Sequence, residues 1–146
     1  MDVDRVIAAP ASTMWALLAR PDRWPEWGPS VRAVECSDDE IRPGTRGRVR
    51  TPLGAWLPFT VTAVEPGRAW HWRLAGFAAT GHRIEPVDDH HTRVVFEVPA
   101  WGFPYAIVCR AALRNLARSA HDLATHLSED AFGTVTVPSS RHQIRH

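Results

Sequence analysis

Cysteine is scarce in this chain. Only Cys36 and Cys109 occur, and neither belongs to a CxxC pair or to a Cys/His spacing that would bind zinc. We therefore predict neither a disulfide framework nor a zinc-stabilised fold. A reducing cytoplasm is therefore the compartment that we expect.

Long apolar runs and an excess of one charge are also missing. Seventeen basic residues stand against sixteen acidic ones, which leaves a net charge of +1. No stretch approaches the roughly 18 apolar residues of a membrane-spanning helix, and the N-terminus MDVDRVIAAP lacks the basic start of a signal peptide. We expect no membrane span, no export and no nucleic-acid partner, because no global field attracts polyanions.

The usual catalytic and cofactor motifs are absent as well. The sequence contains no GxxxxGK[ST] loop, no GxSxG elbow, no HExxH pair and no EF-hand loop. His121 and His126 lie five residues apart on a predicted helix, whereas side chains that share a helix face lie three or four apart. We therefore predict no metal and no cofactor.

Tryptophan is abundant: the chain has seven tryptophans but one tyrosine and two methionines. Indole is bulky, flat and carries one donor, so it suits the wall of a cavity for an apolar or aromatic ligand. It also fills ordinary cores, and for any single tryptophan the core is the more common place.

The hydrophobic pattern predicts one α+β domain. Residues 4–8 favour a strand, and two short helices follow, one over STMWALLAR and one through Trp24 and Trp27. From Val31 onward about six β-rich segments alternate with turns, which indicates an antiparallel meander. A helical period then begins near Cys109. We predict a curved antiparallel sheet around a long C-terminal helix over residues 1–132, and a tail over 133–146 that is loosely ordered or bound to a partner.

Ordered short motifs carry a resemblance to a known family over residues 4–127. The strand ending in Ala9-Pro10, the helix with Met14 and Trp15, and the Trp24-Pro25 pair come first. Val61, Val64, Glu65, Pro66, Trp70, Trp72, and the stretch from Gly81-His82 to His91-Thr92-Arg93-Val94 continue the series. The chain resembles the START-like, Bet v 1-like (SRPBCC) superfamily, in particular its polyketide cyclase/dehydrase and lipid-transport branch. The resemblance implies a helix-grip fold with a cavity for apolar molecules, and it transfers no catalytic residue.

His82 is the polar candidate that we single out. In the strand TGHRIEPV it alternates onto the face of Ile84, so it is predicted to point inward. There it is either an acid or base for cyclisation or dehydration of a bound polyketide, or simply a hydrogen-bonding group of the wall, which is favoured because no acidic partner is evident.

Aromatic residues of the sheet, the short helices and the entrance of the long helix are the predicted ligand-binding set. With His82 they are Trp24, Trp27, Trp56, Phe59, Trp72, Phe77, Phe96, Trp101 and Tyr105. Residues 75–79 and 99–102 combine small residues with one aromatic each, which is typical of a mobile gate or of an ordinary hairpin turn.

Three functions follow from these features. The first is a carrier or binding protein for an apolar small molecule, such as a polyketide, lipid or quinone-like compound. The second is an aromatic polyketide cyclase or dehydratase that uses His82. The third is a protein-interaction module of the co-chaperone type, in which the alternation at Val135 to Val137 adds a strand to a partner and favours a homodimer.

Overall fold

The computed structural model of the protein describes the backbone of residues 1–133, and the side chains of these residues except Trp101, Phe103, Pro104 and residues 127–133. The strands are β1 (Asp2–Ile7), β2 (Ala33–Cys36), β3 (Arg46–Arg50), β4 (Trp56–Glu65), β5 (Ala69–Leu74), β6 (Phe77–Ala78), β7 (Gly81–Asp88) and β8 (His91–Glu97). The α-helices are α1 (Ala11–Ala19), α2 (Trp24–Trp27) and α3 (Ala106–Gly133), and short 3-10 helices over Pro21–Arg23 and Ala100–Tyr105 precede α2 and α3.

The strands form one antiparallel sheet in the order β1-β8-β7-β5-β4-β3-β2, and β6 pairs with β5. Strands that follow one another in the chain are mostly neighbours, as a meander requires, while β1 closes the far edge by pairing with β8. The helix-grip fold predicted from the sequence is confirmed: α3 lies against β1 and the two short helices.

The segment 75–79 forms a tight hairpin. Leu74 pairs with Phe77 across a two-residue turn in which Ala75 and Gly76 have φ values of 50° and 84°. Positive φ at both central positions is the geometry that matches the twist of two antiparallel strands. The segment has the form of a hairpin turn, while the predicted role as a mobile gate stays a prediction. The strand β6 that the turn starts was not predicted.

Indole groups cap the C-terminal end of α1. The carbonyl of Leu17 would bond the amide four residues later, but that residue is Pro21, which has no N–H. The Nε1–H of Trp27 donates to the Leu17 carbonyl at 2.9 Å instead, and that of Trp24 donates to the Leu18 carbonyl at 2.9 Å. These two bonds fix the α2 tryptophans beneath the sheet.

Helix α3 buries one stripe and exposes the other. Cys109, Leu113 and Leu116 are buried against the core. Arg110, Arg114 and Arg118 are exposed, as their spacing predicts. The predicted tail over 133–146 lies, from residue 134 on, outside the described residues, so its prediction stays a prediction.

Candidate functional site

Three rings from three different elements are stacked in the interior. The indoles of Trp24 and Trp70 are nearly parallel, with centroids 5.1 Å apart and an interplanar angle of 6°. The imidazole of His82 covers the other side of Trp70, at 4.0 Å and 20°. Phe96 meets the imidazole edge to face, with centroids 5.0 Å apart. Strand alternation places these rings on one side, because Trp70 pairs with His82 and His82 pairs with Phe96 in the sheet.

His82 is neutral in this environment. Its side chain is only 3% exposed, and burial lowers its pKa from 6.5 to about 3. Nε2 lies 3.4 Å from the Thr80 hydroxyl. The backbone of Trp70 approaches the ring and opposes the shift in part, but Nδ1 has no hydrogen-bond partner within the described residues.

Two indole nitrogens beside His82 are unpaired as well. Nε1 of Trp70 and Nε1 of Trp72 are buried and have no hydrogen-bond partner among the described groups. Buried polar atoms are nearly always paired, so three unpaired nitrogens on neighbouring strands mark an unusual place in this protein.

A pocket of about 660 Å³ lies between the sheet and the start of α3, and we call it the outer pocket. Small-molecule sites in proteins usually have about 300–1,000 Å³. The lining residues come from β3, β4, the β5–β6 hairpin, the loop after α2 and the segment before α3. They are Ser30, Val31, Val49, Thr51, Leu57, Trp72, Leu74, Ala75, Phe77, Ala79, Thr80, Val98, Pro99, Gly102 and Tyr105.

A second pocket of about 40 Å³, the inner pocket, lies deeper, against the stacked rings. Trp24, Trp27, Trp70, His82, Phe96, Gly28, Pro29, Val108, Cys109 and Ala112 line it, together with five residues that it shares with the outer pocket. The shared residues are Ser30, Val31, Trp72, Thr80 and Tyr105. The two pockets are therefore neighbouring compartments separated by a few side chains.

A hydrogen bond between Ser30 and Tyr105 lies at this junction. The two hydroxyls are in close contact and link the loop after α2 to the segment before α3. Burial raises the pKa of the Tyr105 phenol, so the group stays protonated at neutral pH. Separating the Ser30 loop from the segment before α3 would therefore break this hydrogen bond.

Comparison with known proteins identifies the family. The profile described as polyketide cyclase / dehydrase and lipid transport matches residues 1–128. The chain belongs to this family. No match was found among curated proteins.

Solved structures of the same fold have low sequence identity to this family member. The Zhui aromatase/cyclase from Streptomyces sp. R1128 has 18% identity and a TM-score of 0.64, with 83% of this chain and 92% of that chain covered. XoxI from Bacillus cereus has 12% identity and a TM-score of 0.65, with 85% and 96% covered. DynU16, a protein of the dynemicin biosynthetic locus, has 20% identity and a TM-score of 0.57, with 81% and 45% covered. At these identities the likeness concerns the fold.

Most of the predicted site residues of this polyketide cyclase/dehydrase family member lie around the two pockets. Trp24, Trp27, His82 and Phe96 line the inner pocket, Phe77 lines the outer pocket, and Trp72 and Tyr105 line both.

Two of the other three predicted residues, Phe59 and Trp56, line neither the outer nor the inner pocket. Phe59 is buried behind Trp24 and Trp72. Trp56 lies on the outer face of the sheet, where the Arg48 guanidinium is 4.5 Å from its ring centroid. The side chain of Trp101 lies outside the described part of the structure.

Sequence reasoning missed several lining residues. Trp70 shares a face with Trp72, so strand alternation alone could have added it. Thr80 lies two residues before His82 in the predicted strand, so the same alternation could have added it. Ser30 carried no such signal, because a hydroxyl residue in a loop is common and its partner Tyr105 is distant in sequence.

The polar side chains His71 and Arg73 of β5 lie on the outer face of the sheet. Both are exposed, and Nε2 of His71 lies 2.9 Å from a carboxylate oxygen of Glu97. Within residues 1–133 the described side chains form no group of three or more that could hold a metal ion. None of the helices in that range is long and apolar enough to cross a membrane.

Proposed function

We propose that the protein binds a neutral, apolar small molecule in the outer pocket, as a carrier or binding protein. The observation that carries the proposal is the size and chemistry of this pocket, which is about 660 Å³ and lined mainly by aliphatic and aromatic side chains. Polyketides and lipids are the ligand classes that the family's description mentions, and quinone-like compounds are a third neutral class that we include.

The charge of the lining supports a neutral ligand. Among the described residues that line the two pockets, none is Arg, Lys, Asp or Glu. His82 is neutral, since burial lowers its pKa to about 3. A buried ligand carboxylate would therefore lose its hydration without gaining a countercharge, which is costly.

A displacement assay tests this proposal. The neutral fluorescent probe N-phenylnaphthylamine is titrated into the protein, and polyketide-like aromatics, quinones and fatty alcohols then compete for it. We expect one probe site per chain and displacement by part of the panel. Failure of the probe and of every competitor to bind would rule the proposal out.

Two neighbouring alanines provide a matched pair of variants. Ala79 lines the outer pocket and is half-buried, whereas Ala78 is exposed and does not line it. Ala79→Phe places a ring inside the pocket and should weaken binding at least about tenfold. Ala78→Phe adds the same ring outside and should bind the probe as the wild type does.

The second candidate is an enzyme of the aromatic polyketide cyclase or dehydratase type. It is favoured by the unpaired Nδ1 of His82 beside the inner pocket, since a neutral imidazole can accept a proton from a bound ligand. A pKa of about 3 makes this group a weak base at neutral pH, and that is why we rank binding first.

Turnover of a linear poly-β-ketone thioester separates the two candidates. An enzyme should release cyclised product faster than buffer does, and His82→Gln should abolish that gain while probe affinity stays unchanged. Product formation at the buffer rate would support the carrier.

Compartment and assembly remain proposals. The free thiols of Cys36 and Cys109 fit a reducing compartment such as the cytoplasm. If a homodimer forms through the tail, the full chain should elute as a dimer in size exclusion and a chain truncated after Gly133 should elute as a monomer. An unchanged oligomeric mass would dispose of that idea.

A further inference from the structure

The inner pocket combines features that the proposed binding function leaves unexplained. It is too small for a ligand body, yet it is lined by all three residues whose buried ring nitrogens have no partner among the described groups: Trp70, Trp72 and His82. A cavity needs about 10–15 Å³ to hold a water-sized group, and this one has about 40 Å³. It therefore has room for one or two polar atoms.

The unpaired indole groups of the inner pocket can only donate hydrogen bonds. An indole N–H donates and cannot accept, so Trp70 and Trp72 both require an acceptor. The nearest indoles of the same cluster differ, because Trp24 and Trp27 already donate to the carbonyls of Leu18 and Leu17. Only two of the four clustered indoles thus have a donor to offer.

We propose that the inner pocket is a hydrogen-bonding subsite for a neutral oxygen at one end of the ligand, a ketone, quinone carbonyl or phenol, held by the indole N–H groups of Trp70 and Trp72. This assignment rests on the proposed function, since the outer pocket would hold the apolar body of the same molecule. Trp72 lines both pockets and so lies where the body and the polar end of the ligand meet.

His82 completes the subsite. Nε2 lies beside the Thr80 hydroxyl and the Trp70 backbone interacts with the ring, so Nδ1 reaches a ligand oxygen in competition with that backbone group, as an acceptor for a phenol or as a donor for a carbonyl according to the tautomer. The stacking of its ring on Trp70 holds this nitrogen in one orientation. A carboxylate end is disfavoured, because no cation lines the pocket in the described structure.

Three naphthalenes of similar shape test the subsite. Acetylnaphthalene carries a ketone, isopropylnaphthalene is its hydrocarbon counterpart, and naphthoate is its anion. Each compound is titrated in competition with N-phenylnaphthylamine bound to the full chain. One or two buried hydrogen bonds should make the ketone bind about tenfold tighter than the hydrocarbon. Trp72→Phe keeps a ring but loses the donor, so it should remove most of that difference, whereas Trp56→Phe on the outer face should preserve it.

Indole N–H resonances give a second readout that does not depend on affinity. In a proton–nitrogen correlation spectrum, the signals of Trp70 and Trp72 should move downfield with the ketone and not with the hydrocarbon. They are assigned by their loss in Trp70→Phe and Trp72→Phe. The signals of Trp24 and Trp27 serve as internal controls, because their protons are already bonded to carbonyls.

The outcomes separate this inference from the proposed function. If none of the probes binds, the binding function itself fails. If all three bind, but ketone and hydrocarbon bind equally and the two indole signals do not move, the subsite is wrong while the apolar pocket stands. Tightest binding of naphthoate would also overturn the subsite, because it would require a charge-stabilising group.

Discussion

The imidazole of His82 lies almost flat against the indole of Trp70, with ring centroids 4.0 Å apart and an interplanar angle of 20°. This contact seals one side of the imidazole from water. Phe96 approaches a second side and Trp27 a third, at 5.0 and 6.2 Å between centroids. The positive form of the ring is therefore poorly hydrated in the folded protein, and this has a measurable consequence for stability.

We expect stability to fall on acidification because of His82. Its pKa is about 3 in the folded chain against 6.5 ordinarily. The unfolded chain therefore takes up a proton below pH 6.5 that the folded chain does not, which favours unfolding increasingly as the pH falls toward 3. Between pH 7 and pH 5 this one group should remove about 2 kcal/mol from the free energy of unfolding.

Urea unfolding of the wild type and of His82→Phe at both pH values measures this effect. The variant keeps a ring in the cluster and lacks the titrating group, so its loss between pH 7 and pH 5 should be smaller by about 2 kcal/mol. Equal pH dependence in the two proteins would contradict the prediction. So would a His82 ring resonance that titrates near pH 6.5.

The indole of Trp27 is expected to contribute to stability through its nitrogen as well as its ring. Trp27→Phe leaves the Leu17 carbonyl without a donor, because Pro21 cannot replace the lost N–H. An unpaired buried carbonyl costs about 2 kcal/mol. Urea unfolding should show a loss of at least that size, while Trp56→Phe on the outer face should stay within about 0.5 kcal/mol of the wild type. Similar losses in both variants would mean that ring volume matters more than the cap.

Much of the fold could be predicted from the sequence, because strand alternation has a period of two and acts locally. It correctly placed His82 with Ile84, and both are buried. The pattern was ambiguous where two apolar residues adjoin. Trp56 and Leu57 are such a pair, and only the contact of Trp56 with Arg48 shows that Leu57 is the residue that lines the outer pocket.

The pocket boundaries could not be predicted for a different reason. The junction between the pockets depends on Ser30 and Tyr105, which are 75 residues apart in the sequence. No local period relates two such positions. The β5–β6 hairpin was similarly hidden, since β6 has two residues and is too short to show alternation.

Replacement of Gly47 by alanine is predicted to destabilise the protein, because the added Cβ has no room. A Cβ at this position would lie 2.4 Å from the Glu35 carbonyl oxygen and 2.8 Å from the Phe59 ring. Both neighbours are held by the sheet, so β2 and β3 would have to separate. We expect Gly47→Ala to lower the free energy of unfolding by about 3 kcal/mol.

Gly102→Ala is the control for this prediction. Its added Cβ would meet nothing closer than 3.6 Å, so the change should cost little in the same urea titration. Comparable losses in the two variants would contradict the prediction, because the crowding at Gly47 would then carry no extra cost.

Phe77 separates ligand binding from stability. Its side chain is 70% exposed although the residue lines the outer pocket. Few of its contacts are with the protein, so Phe77→Ser should leave the free energy of unfolding within about 0.5 kcal/mol of the wild type. A bound apolar ligand would cover part of the ring, and loss of that contact should weaken probe binding about fivefold.

Leu53→Ser is the matched control, because Leu53 is 97% exposed and lines neither pocket. Probe displacement should therefore distinguish the two serine variants while urea unfolding does not. If Phe77→Ser bound the probe as tightly as Leu53→Ser does, the ligand would lie deeper than the hairpin, near Thr80 and Tyr105 at the junction of the two pockets.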